Sequence, residues 1–599
     1  MQREHAILLV ILLFAVFLRF LPLGSQAQFY EPDNYIYFSM AQQTIANNMS
    51  VPATDALSGF PVHNKYTESP YLVLVPAFIS LFGIPLADSF HLISLAAGLA
   101  GIILAYLFAK KLTDSNTIPL LAAFFLATLF PFVFKTSWLE YRGETIVPVL
   151  LAASIYLLCS SQTENAISKP RIFFSAILLI AGVLMWNGGI YALVCFGFAA
   201  IGMLLKNKIE MKKLALLLAA IAAISWIAFT QTTYARVFLT TNPLAISEVG
   251  PPSLLSLAAQ YYLALPLLPI GLIWLILNAK PERRQWILGL YGILLPTLFI
   301  MSTQARWSVL PAIPMAIFAA FGIEALYDFA SKGMLPYNTA RNIALMAILL
   351  AIMLPIYQFQ SAQPADSQNQ YFFQALAFLH NSTPKNATVL SIWDDGSLIE
   401  GAANRTAYTD SVPGLGGDTD FAFERFMAEN SLNLTYLQQV KPDYLFIRTQ
   451  YLVFENPFPI SNNSNIKMLL QPKNMSSQGV SLSPVFHNPQ VTIYKVNLSS
   501  QTIIQNNTLQ INKSSSNPSS PFAYLQFITN ENYTLTIKGQ ISPITLSNKQ
   551  IAYLPKGTYI INSTSDAYSI EGDAVIKLSN YEDILILNGD AVIYLNSSS

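Results

Sequence analysis

FHLISLAAGLAGIILAYLFA, residues 90–109, runs directly into Lys110 and Lys111. The run contains no Asp, Glu, Lys or Arg. As a helix rising about 1.5 Å per residue it reaches about 30 Å, the depth of a bilayer's hydrocarbon core. Two lysines at one end mark the cytoplasmic edge of such a span. The pattern recurs near 6–24, 117–134, 145–160, 172–186, 189–205, 214–229, 258–278, 285–301, 308–327 and 342–358, giving eleven spans in all. Residues 6–24 would also suit a signal peptide. We read them as an uncleaved first span, because no clear small-residue cleavage site follows and many more spans do. The run 71–86 is apolar but carries Pro76 and Pro85, and is expected to be interfacial.

Composition agrees with this reading. The 599 residues are 53% hydrophobic and 11% charged, with a mean hydropathy of +0.44. That is too apolar for an ordinary soluble enzyme and indicates a polytopic membrane protein. A net charge of zero gives no reason to expect a nucleic-acid partner. The two cysteines, Cys159 and Cys195, lie in apolar segments, so the polar half has no disulfide framework and the chain has no CxxC metal site. Five scattered histidines argue against a zinc cluster.

Basic residues set the expected orientation. Arg3, Lys110/Lys111, Lys169/Arg171, Lys206/Lys208/Lys212/Lys213, Lys280/Arg283/Arg284 and Lys332/Arg341 fall on one side, which should be cytoplasmic. Loops 25–89, 135–144, 230–257 and 302–307, and everything beyond about 360, then lie outside. Past residue 361, Asn, Ser, Thr and Tyr rise. FFQALAFLH (372–380) reads as a helix, ATVLSI (387–392) and YLFIR (444–448) as strands, and SLIEGAA (397–403) as a helix start. GDAVIKL (572–578) and GDAVIYL (589–595) form a weak duplicate suited to neighbouring strands. The expected organisation is a multi-span domain over 1–360, an α/β domain over 361–480 and a β-rich domain over 481–599.

Three outer loops carry acids near helix ends. YEPDNYIYF (30–38) holds Glu31 and Asp33; WLEYRGET (138–145) holds Glu140 and Glu144; TTNPLAISEVGPP (240–252) holds Glu248. Hard divalent cations take several oxygen ligands, and carboxylates gathered from different loops supply them. Taken singly, each acid also fits an ordinary solvated loop residue. Arg306, in STQARWSVLP (302–311), sits at the outer end of a span. It suits either a side chain snorkelling to the interface or a cation for a lipid-borne phosphate, and both readings stay open here.

At IWDDG (392–396) the chain resembles the WWDxG signature of the oligosaccharyltransferase catalytic subunits, in their archaeal and bacterial single-subunit form. GSLIEGAANRTAYTD (396–410) is similar to that family's continuation. DNYIYF, YRGE, ISE and ARW resemble its further motifs, in family order and on the outer side. The resemblance implies a GT-C membrane fold with a C-terminal extracytoplasmic domain. It also implies transfer of a glycan from a polyprenyl (dolichyl) phosphate or diphosphate carrier to Asn in N-x-S/T. It makes Asp33, Glu144 and Glu248 the acids around Mn²⁺ or Mg²⁺, with Glu140 as a substitute ligand. Asp33 and Glu248 would contact the acceptor amide and Arg306 the lipid phosphate. Trp393, Asp394 and Asp395 would form the pocket for the sequon hydroxyl. The implied partners are a lipid-linked oligosaccharide, an acceptor polypeptide and membrane lipid, for an enzyme acting as a single subunit in the cell membrane.

Three departures stand out: Ile392 replaces the first tryptophan, Arg142 stands in the second acidic motif, and eleven spans are read where the family has thirteen. Another GT-C transferase acting on a different protein or lipid acceptor is the alternative, although it would not be expected to combine ISE with WDDG. A transporter would place its ionisable residues mid-membrane rather than in outer loops, and a surface protein whose tail binds partners gives no reason for these motifs. The chain also holds sequons of its own at Asn381, Asn433, Asn532 and Asn562.

Overall fold

A computed structural model describes residues 2–21, 29, 31–59, 69–161, 168–206, 253–262, 264–278, 280–303, 305–334, 336–361, 370–409, 423, 426–429, 434–452, 464–477 and 479–498, with the backbone of seven strands between 522 and 595. The chain forms two units: Met1–Asp55 with Lys65–Gln374, and Ala56–Asn64 with Ala375–Ser599.

The first unit is helical. Its first nine helices are α1 (Gln2–Phe20), α2 (Asp33–Ala46), α3 (Tyr71–Ser80), α4 (Leu86–Leu112), α5 (Thr117–Thr128), α6 (Phe130–Lys135), α7 (Gly143–Ser160), α8 (Lys169–Met185) and α9 (Tyr191–Lys206). Helices Leu254–Tyr261, Ala264–Asn278, Arg284–Thr303, Ala312–Ser331 and Tyr337–Ser361 follow. Among the described residues, four helices are long and apolar enough to cross a membrane: α4, α7, Ala312–Ser331 and Tyr337–Gln358. Every expected span coincides with helix except 214–229, which lies outside the described residues.

Two expected spans are interrupted. The one at 117–134 breaks at Leu129, which is extended (φ −60°, ψ 115°), just before Pro131 opens α6. The one at 258–278 breaks where Tyr262 takes φ 51°. Pro266 has no N–H to donate four residues back, to the carbonyl of Tyr262, so the helix restarts rather than continues. The expected interfacial segment is a short helix, α3, with Pro76 inside it.

Without water to drive apolar surfaces together, membrane helices pack through small residues that let backbones approach. A Cβ on Gly271 would collide with the carbonyl oxygen of Phe318, and one on Gly322 would lie 2.5 Å from that of Leu267. These two glycines let helices Ala264–Asn278 and Ala312–Ser331 meet.

α4 relates the two ends of this unit. At its C-terminus Lys110 and Tyr106 donate to Glu4 of α1. Beyond that end Lys280 lies 2.8 Å from Asp114, and Arg283 pairs with the same carboxylate while donating to the Leu112 carbonyl at 2.9 Å. Basic loops assigned to one side thus meet at one end. At the N-terminus of α4, Phe90 packs edge-on against Tyr141, whose hydroxyl donates to the Leu72 carbonyl at 2.9 Å.

The second unit contains a six-stranded sheet ordered β2-β1-β3-β6-β5-β4. Its strands are β1 (Thr388–Leu390), β2 (Thr406–Ala407), β3 (Tyr444–Arg448), β4 (Met475–Ser477), β5 (Val480–His487) and β6 (Val491–Leu498). β1 runs parallel to β2 and β3, and the remaining pairs are antiparallel. Leu390, Leu445, Ile447, Leu482 and Tyr494 of the sheet close a core with Leu437, Ile466 and Leu469. Because β5 and β6 complete this sheet, it extends to Leu498, past the boundary expected at 480.

Residues 57–59, from the first long loop, add to its edge. Ser58 bridges Ala407 in parallel, Ala407 donates to the Leu57 carbonyl at 2.8 Å, and Gly59 donates back to the Ala407 carbonyl at 3.0 Å. The ANRT segment (403–406) has a structural role here. Asn404 ends a π-helical turn in the left-handed region (φ 51°). Buried Arg405 donates to the carbonyls of His380 and Thr383. A further sheet comprises β7 (Phe522–Thr529), β8 (Leu535–Lys538), β9 (Ile544–Leu546), β10 (Ile551–Pro555), β11 (Gly557–Asn562), β12 (Tyr568–Lys577) and β13 (Asp583–Leu595). The duplicated segments fall on β12 and β13, which pair antiparallel.

Candidate active site

Two helix N-termini carry the acids of the first unit. Asp33 opens α2, and Glu144 sits in the first turn of α7, where the helix dipole favours a negative charge. Arg142 is the extended residue before α7 (φ −145°, ψ 149°). Gly143 follows it because Trp186 lies against the helix start: a Cβ there would come within 2.6 Å of the indole Cγ. The α6–α7 loop is pinned at three points. Trp138 N–H donates to the Arg19 carbonyl at 3.0 Å, Glu140 N–H to that of Ser137 at 3.2 Å, and the Thr145 hydroxyl to that of Lys135 at 2.9 Å.

These constraints gather four carboxylates and two cations. Arg142 pairs with Glu31 and lies 3.0 Å from Asp33, 3.7 Å from Glu144 and 3.9 Å from Glu140. Lys135 pairs with Glu31 and lies 3.8 Å from Glu144. Asn34, fully buried on α2, donates to Glu140 Oε2 at 3.3 Å. Of the four acids, Asp33 is the most open, with 31% of its side chain exposed, whereas Glu140 is wholly buried. Burial pushes the Glu140 carboxyl up to about 8, against the pull of Lys135 and Asn34 and with the support of Glu144 and Asp33.

Asp33, Glu140 and Glu144 therefore come together, as the sequence motifs suggest. Glu248 lies outside the described residues. Arg306 is in the turn Ala305–Val309 after helix Arg284–Thr303; its side chain is likewise outside them. Sequence reasoning left Asn34 and Lys135 out of the site, and named Glu31 among the outer-loop acids without giving it a role. The available signal was Lys135 and Arg142 themselves, two basic residues on the side where basic residues are not expected.

The oxygen-rich donor set suits a hard divalent cation. Glu140 adds a specific sign of fit: its Oε1 is buried and accepts no hydrogen bond. Among the described residues, though, no group of three acids is arranged as a preformed metal cage, and Arg142 stands between the carboxylates.

In the second unit, helix Trp393–Leu398 separates its two aspartates. Trp393 and Asp394 are half-buried. Asp395, one helical step on, turns inward and is fully buried, accepting from Arg448 and from the Tyr451 hydroxyl, one bond on each oxygen. Tyr451 in turn receives the Ile392 N–H at 3.4 Å. Asp395 was expected to line the hydroxyl pocket. With both oxygens engaged inside the core it braces the turn that presents Trp393 and Asp394.

Comparison with known proteins places the fold in the class of GT-C membrane glycosyltransferase folds. No family model matches the chain. The chain is similar in structure to an archaeal oligosaccharyltransferase, AglB from Archaeoglobus fulgidus, in complex with an inhibitory peptide and a dolichol-phosphate. That likeness has a TM-score of 0.63 at 13% identity, over 99% of this chain and 98% of that one. An A. fulgidus oligosaccharyltransferase in complex with Zn and sulfate gives a TM-score of 0.59 at 14% identity, over 98% of this chain and 100% of that one. In sequence the chain is 28% identical over 175 residues to dolichyl-phosphooligosaccharide-protein glycotransferase 2 of Pyrococcus horikoshii. That match covers 28% of this chain and 22% of the relative, so the chain spans about a fifth of that protein's length. In fold and in sequence the chain thus resembles archaeal oligosaccharyltransferases.

Proposed function

We propose that the protein is an oligosaccharyltransferase that moves a glycan from a polyprenyl (dolichyl) phosphate or diphosphate carrier to the Asn side chain of N-x-S/T sequons. The observation that carries this reading is the gathering of Asp33, Glu140 and Glu144 from two separate outer loops, within the fold such enzymes share. An amide nitrogen is a poor nucleophile because its lone pair is delocalised into the carbonyl, the resonance behind a rotation barrier of ~18–20 kcal/mol. Asp33, the open acid, accepts one N–H of the acceptor amide, and Glu248 the other. The two carboxylates draw density back to nitrogen and stabilise the charge that develops there. Arg306 offers a planar fork to the carrier's phosphate oxygens.

Trp393 and Asp394 frame the sequon hydroxyl. A site built to hydrogen-bond a hydroxyl rejects an acceptor lacking one by several orders of magnitude. Asp33, Glu140 and Glu144, with Glu248, would hold Mn²⁺ or Mg²⁺, which supplies positive charge to the departing phosphate. The C-terminal unit lies on the extracytoplasmic side, and the chain acts as a single subunit.

The test is glycan transfer to a fluorescent N-x-T peptide by purified protein, with lipid-linked oligosaccharide from native membranes and Mn²⁺. Transfer to the Asn peptide, none to its Gln counterpart, and a loss of 100-fold or more in Asp33→Ala are expected, on the order of one electrostatic contact at the reacting centre. Transfer to neither peptide with an active donor pool, while a different acceptor is glycosylated, would move the protein to another GT-C activity.

A further inference from the structure

We propose that Arg142 is a resident counter-cation of the acid cluster, and that a divalent cation enters only by displacing its guanidinium. The affinity of the site for metal is then set by this arginine. The inference rests on the reading above that these acids hold a divalent cation.

The geometry leaves little room for both. Three acids assigned to the metal, Asp33, Glu140 and Glu144, lie 3.0, 3.9 and 3.7 Å from nitrogens of one guanidinium. A Mg²⁺, Mn²⁺ or similar ion sits about 2.0–2.6 Å from its oxygen ligands, within the space that guanidinium fills. The two cations also repel, and in a site this buried solvent screens them weakly. Arg142 is itself only 7% exposed, and the backbone that carries it is fixed at the start of α7.

The guanidinium leaves one carboxylate oxygen unserved. Its planar fork donates in fixed directions, and Glu140 Oε1 remains buried with no hydrogen-bond partner. Even with the Glu140 carboxyl protonated, the three carboxylates of Glu31, Asp33 and Glu144 against Lys135 and Arg142 leave a surplus of negative charge. A small divalent ion, which takes oxygens from several carboxylates at once, can use both the spare oxygen and the surplus. In the absence of metal, the arginine keeps like-charged groups assembled that would otherwise separate.

Mn²⁺ binding to the full-length, chelator-treated protein in detergent tests this, read as loss of the free Mn²⁺ paramagnetic resonance signal and, separately, as the Mn²⁺-induced rise in Tm. Arg142→Gln is expected to bind Mn²⁺ at least tenfold tighter than the unaltered protein. Its Tm without metal should be lower, and its rise on adding Mn²⁺ larger. Arg142→Lys, which keeps the charge but holds one carboxylate at a time, is expected to fall between the two. It decides the question alone if the glutamine variant does not fold.

Equal or weaker Mn²⁺ binding by folded Arg142→Gln, or Arg142→Lys indistinguishable from the unaltered protein, overturns the proposal while leaving the metal reading in place. No Mn²⁺ binding by any of the three removes the metal reading as well. The peptide-transfer assay is independent of both results.

Discussion

At the scale of single residues, the two neighbouring aspartates of WDDG show what a motif does and does not convey. Residue types at 393–395 announced a polar pocket. Which aspartate faces outward depends on the helical step of Trp393–Leu398 and on Arg448 and Tyr451, more than fifty residues away in sequence. No local pattern encodes that pairing. Asp395→Asn removes the carboxylate facing a buried arginine, and is expected to cost about 3 kcal/mol of C-terminal-unit stability by thermal or denaturant unfolding, as broken buried pairs do. Burial raises the Asp395 carboxyl above its ordinary 3.8, although Arg448 and Tyr451 pull it down. The folded unit therefore keeps this proton longer than the unfolded chain does. Its contribution is fully present below the ordinary value and is lost as pH rises through the folded one. A Tm that declines over that window in the unaltered protein, and loses that slope in Asp395→Asn, is the expected signature. The acids of the second outer loop were more legible, because Glu140 and Glu144 lie beside the start of α7, which hydropathy alone locates, whereas the helix that Asp33 opens has no counterpart among the expected spans.

At the scale of elements, apolar run length located the helices well, and backbone chemistry decided where they break. Pro131 and Pro266 were visible in the sequence, yet a proline inside an apolar run is equally compatible with a kinked continuous span. The strands β1 and β3 were legible from β-branched and aromatic runs. The membership of β5 and β6 in their sheet was not, because register comes from long-range pairing, such as Phe446 with Ile493. Glycines carry the helix contacts. Gly271→Leu drives a side chain into the backbone of helix Ala312–Ser331 and is expected to destabilise by about 2 kcal/mol or more through overpacking. Leu277→Ala, on an exposed position of the same helix, should be near neutral. Thermal unfolding in detergent compares the two, and equal effects would mean that this helix pair is not held at Gly271.

At the scale of the whole molecule, sidedness followed from counting basic residues, and the meeting of Asp114 with Lys280 and Arg283 at one end of α4 accords with it. The two cysteines, Cys159 and Cys195, are both buried, so the native chain offers little background for thiol labelling. Asp114→Cys is expected to react with a membrane-impermeant maleimide only in inside-out vesicles, and Lys473→Cys only in right-side-out ones. Labelling of both from the same face would reverse the orientation argued for the C-terminal unit. The bridge between Ser58 and Ala407 has a consequence in time. A ribosome adding ~5–20 residues per second needs roughly 20–70 s to traverse the roughly 350 residues between them. Throughout that interval the earlier segment is already made while its hydrogen-bonding partner does not yet exist. The order of synthesis thereby makes completion of this sheet edge a late event, and a chain stalled before Thr406 ends with Leu57 and Gly59 lacking the strand they pair with.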